Sequence, residues 1–235
     1  MHRYLLIIAI FLFSCSKSIN KSTVTSSDEQ KPTNNNSPLS WKPVGGRIMT
    51  TWGEAVRPEN VLSEYPRPQF SRKNWLNLNG LWDYSITPKN EAAPNTYQGK
   101  ILVPFCVESA LSGVGKKVDP ASRIWYKKTF TIPEKWNQQN IVLNFGAVDY
   151  ETHVFVNDAL VGSHKGGFDG FFFDITEYLK PGENTLVLSV YDPTTWEEIP
   201  TGKQRLINGG IWYSAVSGIW QTVWLEPVSP ELFLE

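Results

Sequence analysis

The sequence predicts an all-β protein, an antiparallel β-sandwich preceded by a signal peptide and a flexible linker. Three observations lead there. From about Trp52 onward, aromatic and β-branched residues recur in short runs separated by Gly, Pro and Asn. No 3.6-residue apolar period extends beyond a single turn. The chain is 41% hydrophobic and 13% aromatic, enough to fill a core, while only 19% is charged, too little to keep it unfolded. Its 22 Lys and Arg balance 23 Asp and Glu, giving a net charge of −1, so the basic footprint of a nucleic-acid binder is missing.

The chain begins with a short basic start, His2 and Arg3, and an unbroken apolar run over 4–13. Ten residues are half of the roughly 20 a spanning helix needs, so the run reads as a signal-peptide core over 1–14. It ends at Ser14-Cys15, similar to the lipobox of bacterial lipoproteins, in which the Cys carries the lipid. Cys15 is the expected lipidation site, and the expected location is periplasm or outer membrane, lipid-anchored. The bland alternative is an ordinary secretory signal with an incidental Cys. Residues 15–48 then read as the lipidated Cys and a disordered linker. Fourteen of the 25 residues in 16–40 are Ser, Thr or Asn, which bury too little apolar surface to offset their ordering entropy.

The sandwich is expected over 49–229. Strands are expected at 75–87, 100–105, 124–132, 141–148, 152–156, 159–164, 171–175, 185–191 and 220–225. Asn157-Asp158 between two alternating runs signals a two-residue hairpin. Asp174 with Glu177 three residues on suggests one helical turn over 174–179. Trp82, Trp125, Phe130, Phe145, Phe155 and Trp224 occupy alternating strand positions and read as packing across the roughly 10 Å between two sheets. The two cysteines, Cys15 and Cys106, cannot build a disulfide scaffold. Cys106, among Val103, Pro104, Phe105 and Val107, reads as a small buried hydrophobe; a catalytic thiol would need a His beside it.

Candidate chemistry concentrates in the strand-poor stretch between Pro193 and Ser217. Trp196, Trp212 and Tyr213 offer flat apolar faces on which sugar rings stack, and Asp192, Lys203 and Gln204 could bind their hydroxyls. The same residues also fit a compact loop that buries its own aromatics. Acidic pairs elsewhere give no catalytic dyad. Asn90-Glu91 lies between two strands, Asp149 and Glu151 bracket Tyr150 at a strand exit where solvation suffices, and the adjacent Glu197 and Glu198 diverge in extended backbone. No catalytic residue, metal site or cofactor is assigned.

Seven ordered phrases carry a resemblance: LNGLWDYSI (78–86), VPFCVES (103–109), IWYKKTFTIP (124–133), LNFGAVDYETHVFVND (143–158), VGSHKGGFDGFFFDIT (161–176), LKPGENTLVLSVYDP (179–193) and SGIWQTVWLEPV (217–228). Together they resemble the N-terminal sugar-binding domain of glycoside hydrolase family 2, the group of β-galactosidases, β-glucuronidases and β-mannosidases. Within it the chain looks most like β-galactosidase-type enzymes of polysaccharide-degrading bacteria, often exported lipoproteins. The resemblance implies a jelly-roll (galactose-binding-like) sandwich, followed in such enzymes by an immunoglobulin-like domain and a catalytic (β/α)₈ barrel. That barrel holds the acid/base and nucleophile Glu pair of a retaining hydrolase. A barrel alone takes about 250 residues, so it does not fit in 235. The implied partners are a carbohydrate, the two further domains and, through the lipid, a membrane. Residues 230–235 then read as the start of a truncated following domain, and the chain alone is expected to be inactive. In some relatives a loop of this domain touches the sugar through an acidic residue shortly before a Trp. Here Gly209, Gly210 and Ile211 precede Trp212. The competing expectation is an independent membrane-tethered carbohydrate-binding lipoprotein.

Overall fold

The computed structural model describes residues 41–231. The expected signal peptide, the lipidation site Cys15, the linker as far as residue 40 and the last four residues of the expected following domain lie outside the described residues.

Among the described residues, fourteen strands run in chain order: β1 (Leu76–Asn77), β2 (Gly80–Pro88), β3 (Gly99–Val103), β4 (Ser122–Thr131), β5 (Asn140–Phe145), β6 (Val148–Asp149), β7 (Glu151–Val156), β8 (Ala159–Lys165), β9 (Phe171–Asp174), β10 (Glu183–Tyr191), β11 (Gln204–Arg205), β12 (Tyr213–Ser214), β13 (Gly218–Ile219) and β14 (Val223–Val228). Two sheets form the sandwich. One has six strands in the order β3-β2-β4-β10-β7-β8, the other four in the order β1-β14-β5-β9, and every pairing in both is antiparallel. Between them lie Trp82, Ile124, Tyr126, Leu143, Phe145, Leu186, Leu188 and Leu225, all shielded from solvent. Each such side chain contributes about 1.5–3 kcal/mol through burial.

Alternation explains which aromatics enter this core. On β4, Ile124 and Tyr126 face the other sheet, so Trp125 faces out. Val154 and Val156 do the same on β7 and turn Phe155 outward. Trp224 is likewise on an outer face, beneath residues 58–75, with the Arg67 guanidinium 5.6 Å from its ring centre. Of the six aromatics expected between the sheets, Trp82, Phe130 and Phe145 are in the core cluster; Trp125, Phe155 and Trp224 are covered from outside.

The expected run 75–87 is broken at Leu78-Asn79 and resumes at Gly80, whose φ of 100° suits glycine alone and whose Cβ would strike the Pro58 carbonyl. The Asn157-Asp158 hairpin forms, both residues at positive φ (50° and 68°). Asn157 also donates to Asn184 Oδ1 at 2.7 Å and accepts from the Thr185 N–H at 3.0 Å, tying the hairpin to β10. The turn expected at 174–179 is a single 3₁₀ turn, Thr176–Tyr178, with Asp174 accepting from the Thr176 N–H at 2.9 Å and no contribution from Glu177 to the cap. Trp41 and Val44, assigned to the linker by composition, sit on the 110–115 turn. The Trp41 indole donates to the Leu111 carbonyl (3.1 Å), and the Val44 N–H to that of Ala110 (2.9 Å).

Candidate functional site

One end of the sandwich is built from strand exits. β10 ends at Tyr191, and the chain crosses that end over 192–217 before returning as β13. β13 pairs with β6, setting Gly218 opposite Asp149. Buried carboxylates hold the crossing loop. Asp192 accepts from the Thr194 N–H (2.6 Å) and the Ser217 hydroxyl (2.6 Å), and Glu108 Oε2 accepts from the Ser217 N–H (3.0 Å). Gln204 bridges the loop to the sandwich: its Oε1 accepts from the Val216 N–H (2.7 Å) and its Nε2 donates to Asp149 Oδ2 (3.3 Å).

Above Asp149 opens a pocket of about 300 Å³, walled by Phe168, Tyr213 and Trp220 and edged by Lys203 and Gln204. The volume falls at the low end of the about 300–1,000 Å³ typical of small-ligand sites. Phe168 and Trp220 meet edge to face, ring centres 6.3 Å apart, and the Trp220 indole donates to the Gly167 carbonyl at 2.7 Å. Gly167 lies so close that a Cβ there would come within 2.6 Å of Asp149 Oδ1, so the 166–170 loop passes directly over the carboxylate.

Burial pushes the Asp149 carboxyl up to about 7, helped by the nearby Asp192 and Glu108 charges and opposed by the Gln204 hydrogen bond. Burial likewise lifts Glu108 to about 7 against the Ser217 donor, and it raises Asp192. At neutral pH Asp149 can therefore give or accept a hydrogen bond, matching the dual character of a sugar hydroxyl, while the aromatic walls suit the C–H face of a pyranose. Among the described residues no group of three or more His, Cys, Asp or Glu is arranged to hold a metal ion.

Of the six expected binding residues, Lys203, Gln204 and Tyr213 line this pocket. Asp192 is buried beneath it and spends its oxygens on the loop. Trp196 is exposed and does not line the pocket, and Trp212 packs its ring under the Arg205 guanidinium at 3.9 Å. Sequence reasoning missed Asp149, Phe168 and Trp220 as pocket residues. Asp149 is not the solvated strand-exit acid expected beside Glu151: it is 3% exposed, whereas Glu151 pairs with Lys165 at 3.0 Å. The glycines of 166–170 were the available signal, because small residues allow backbone to approach a functional group closely. Cys106 is partly buried, and burial lifts its thiol to about 11, as suits an unreactive packing residue.

An antiparallel sandwich with an aromatic-walled, carboxylate-floored pocket at one end has the shape and chemistry of a carbohydrate-handling module. Comparison with known proteins gives that class its family. Residues 103–227 match the family described as glycosyl hydrolases family 2, sugar binding domain, and the chain belongs to it. A putative beta-glucuronidase of Formosa agariphila is 32% identical over 190 residues, covering 77% of this chain and 20% of that protein. A beta-galactosidase of Thermoanaerobacter pseudethanolicus is 36% identical over 157 residues, covering 64% and 20%. A beta-glucuronidase of Paenibacillus borealis is 29% identical, covering 61% and 25%. The chain thus spans about a fifth to a quarter of the length of these curated relatives. Among solved structures, Bifidobacterium dentium beta-glucuronidase complexed with coumarin-3-O-glucuronide superposes with a TM-score of 0.53 at 21% identity, over 70% of this chain and 31% of that one. That likeness is one of fold.

Proposed function

We propose that this chain is the sugar-binding part of a β-galactosidase- or β-glucuronidase-like family 2 glycoside hydrolase, and that it forms one wall of a glycoside site whose catalytic carboxylates lie on another domain. The pocket over Asp149 carries the reading. It offers a carboxyl poised near neutrality, the Gln204 amide and three aromatic faces, but no second acid beside Asp149 in its lining. Retaining hydrolysis needs two carboxyls about 5–5.5 Å apart. Glu108 and Asp192 lie beneath the loop and are held by Ser217 and Thr194. The pocket's margin supports a covering domain, because Phe168 and Tyr213 of its wall and Ile207 and Ile211 of the 192–217 crossing are all exposed apolar side chains.

The 235-residue chain alone should not hydrolyse nitrophenyl β-galactoside or β-glucuronide. Calorimetry should show weak binding of the free sugar, weakened further by Gln204→Ala or Tyr213→Ala. Turnover by the purified chain alone would overturn the assignment. We further propose export and membrane tethering through lipid on Cys15, supported by the apolar run that stops there. Cys15→Ser should move the protein from the membrane to the soluble fraction; continued membrane association would argue against the anchor.

A further inference from the structure

A cavity of about 500 Å³ has no part in the site above. It lies on the outer face of the six-stranded sheet, over β4, β10 and β7. The two cavities share no lining residue.

The sequence pattern makes this face anomalous. Its outward positions are mostly polar: Ser85, Thr129 and Ser189 surround the cavity on neighbouring register positions. Trp125 and Phe155 break that pattern, and Tyr97 closes over them from the β2–β3 connection. Lys127 pairs with Val187, and Val187 with Phe155, so one row crosses three strands. Each step across such a row is about 4.8 Å, close to the rise of one β-1,4-linked pyranose along its chain. Polar groups flank the row: Lys127 at one end, Asp158 on the hairpin at the other, Asn95 on the covering loop. The one cation and one anion balance. Trp125 is fixed by an indole hydrogen bond to Thr87 Oγ1 at 3.2 Å.

None of these aromatics is among the exposed large apolar side chains; they form a recessed floor beneath a polar rim. A recessed aromatic floor with hydrogen-bonding edges suits a slender ligand that is apolar on its faces and polar around its rim. We propose that this cleft is a second carbohydrate site, which takes a short stretch of a neutral β-linked polysaccharide across β4, β10 and β7. It would hold polymeric substrate on the protein away from the pocket over Asp149.

The test uses the full 235-residue chain, ¹⁵N-labelled, titrated with β-1,4-linked galacto-, xylo- and gluco-hexasaccharides. The Trp125 indole N–H resonance, assigned through Trp125→Phe, should shift saturably with one of them while that of Trp220 stays in place. Tyr97→Ala and, separately, Lys127→Met should weaken that binding about tenfold or more, and Tyr213→Ala should leave it unchanged. Shifts confined to Trp220, or binding lost in Tyr213→Ala and kept in both outer-face variants, would place the glycan in the end pocket and overturn the proposal. No shift with any of the three hexasaccharides would overturn it as well. Either failure leaves the reading of the end pocket standing, since that reading is tested by its own variants.

Discussion

Glu108 gives the sharpest handle on the buried end of the sandwich. Burial lifts its carboxyl from 4.5 to about 7. One pH unit of difference between folded and unfolded states is worth about 1.4 kcal/mol, so ionising Glu108 inside the fold costs about 3 kcal/mol. The folded state holds this proton more tightly than the unfolded chain does. Its stabilising effect is therefore complete below the unfolded value of 4.5 and is lost as the pH rises through about 7. Asp149, lifted from 3.8 to about 7, acts in the same direction. Glu108→Gln keeps an oxygen for the Ser217 N–H and removes the titration. Its amide N–H₂ replaces Oε1, a buried atom without a partner, and imposes a cost that does not depend on pH. The quantity to follow is therefore the gap between variant and parent, measured by urea unfolding at about pH 5 and again at about pH 8.5. It should move by about 3 kcal/mol in favour of the variant, roughly 1 M in midpoint at a slope near 3 kcal/mol per M. Titrating groups remote from Glu108 cancel in this comparison, while Asp149, which its charge helps to raise, contributes a smaller change. A gap that stays constant between the two pH values would refute the argument that burial, rather than pairing, governs this carboxyl.

Glu226→Ala removes an acceptor shared by the Tyr65 hydroxyl (2.7 Å), the Arg72 guanidinium (2.9 Å) and the buried Trp224 indole. It should destabilise the protein by about 2–3 kcal/mol, discounting the partly exposed Arg72, and limited proteolysis should find the 58–75 segment cut faster than in the parent. Gly218→Ala places a methyl group against the Tyr126 hydroxyl at a φ of 87°, a conformation alanine resists. Tyr126 is fully buried in the core and cannot retreat, so a loss above about 3 kcal/mol is expected in thermal unfolding.

Much of the sandwich was legible because period-two alternation reports directly on which residues face a core. The runs at 124–132 and 185–191 became β4 and β10, the central pair of the six-stranded sheet. Alternation says which side chains share a face; it does not say which face is inside. On β4, Trp125 and Tyr126 are both large and apolar, and only the partner strands decide that the tyrosine goes in. The same ambiguity put Phe155 and Trp224 in the core by expectation, whereas each is covered by an irregular segment on an outer face. Coverage of that kind depends on where loops such as 58–75 and 89–98 lie, and their composition carries no periodic signal.

The site was half legible for a related reason. Lys203, Gln204 and Tyr213, which line the pocket, stand out in sequence because a strand-poor stretch rich in aromatic and polar residues is a usual place for ligand contacts. In sequence Asp149, its floor, looks like a strand-exit acid open to water. Its burial comes from two long-range events: β13 pairs Gly218 with it from 69 positions further along the chain, and the 166–170 loop crosses over it at Gly167. Both events require glycine, for positive φ at Gly218 and for close approach at Gly167. A glycine in an otherwise strand-like or aromatic context is thus the trace such a site leaves in one dimension. The glycine marks where two segments must nearly touch, and the polar side chain caught between them is the one whose chemistry the fold has altered.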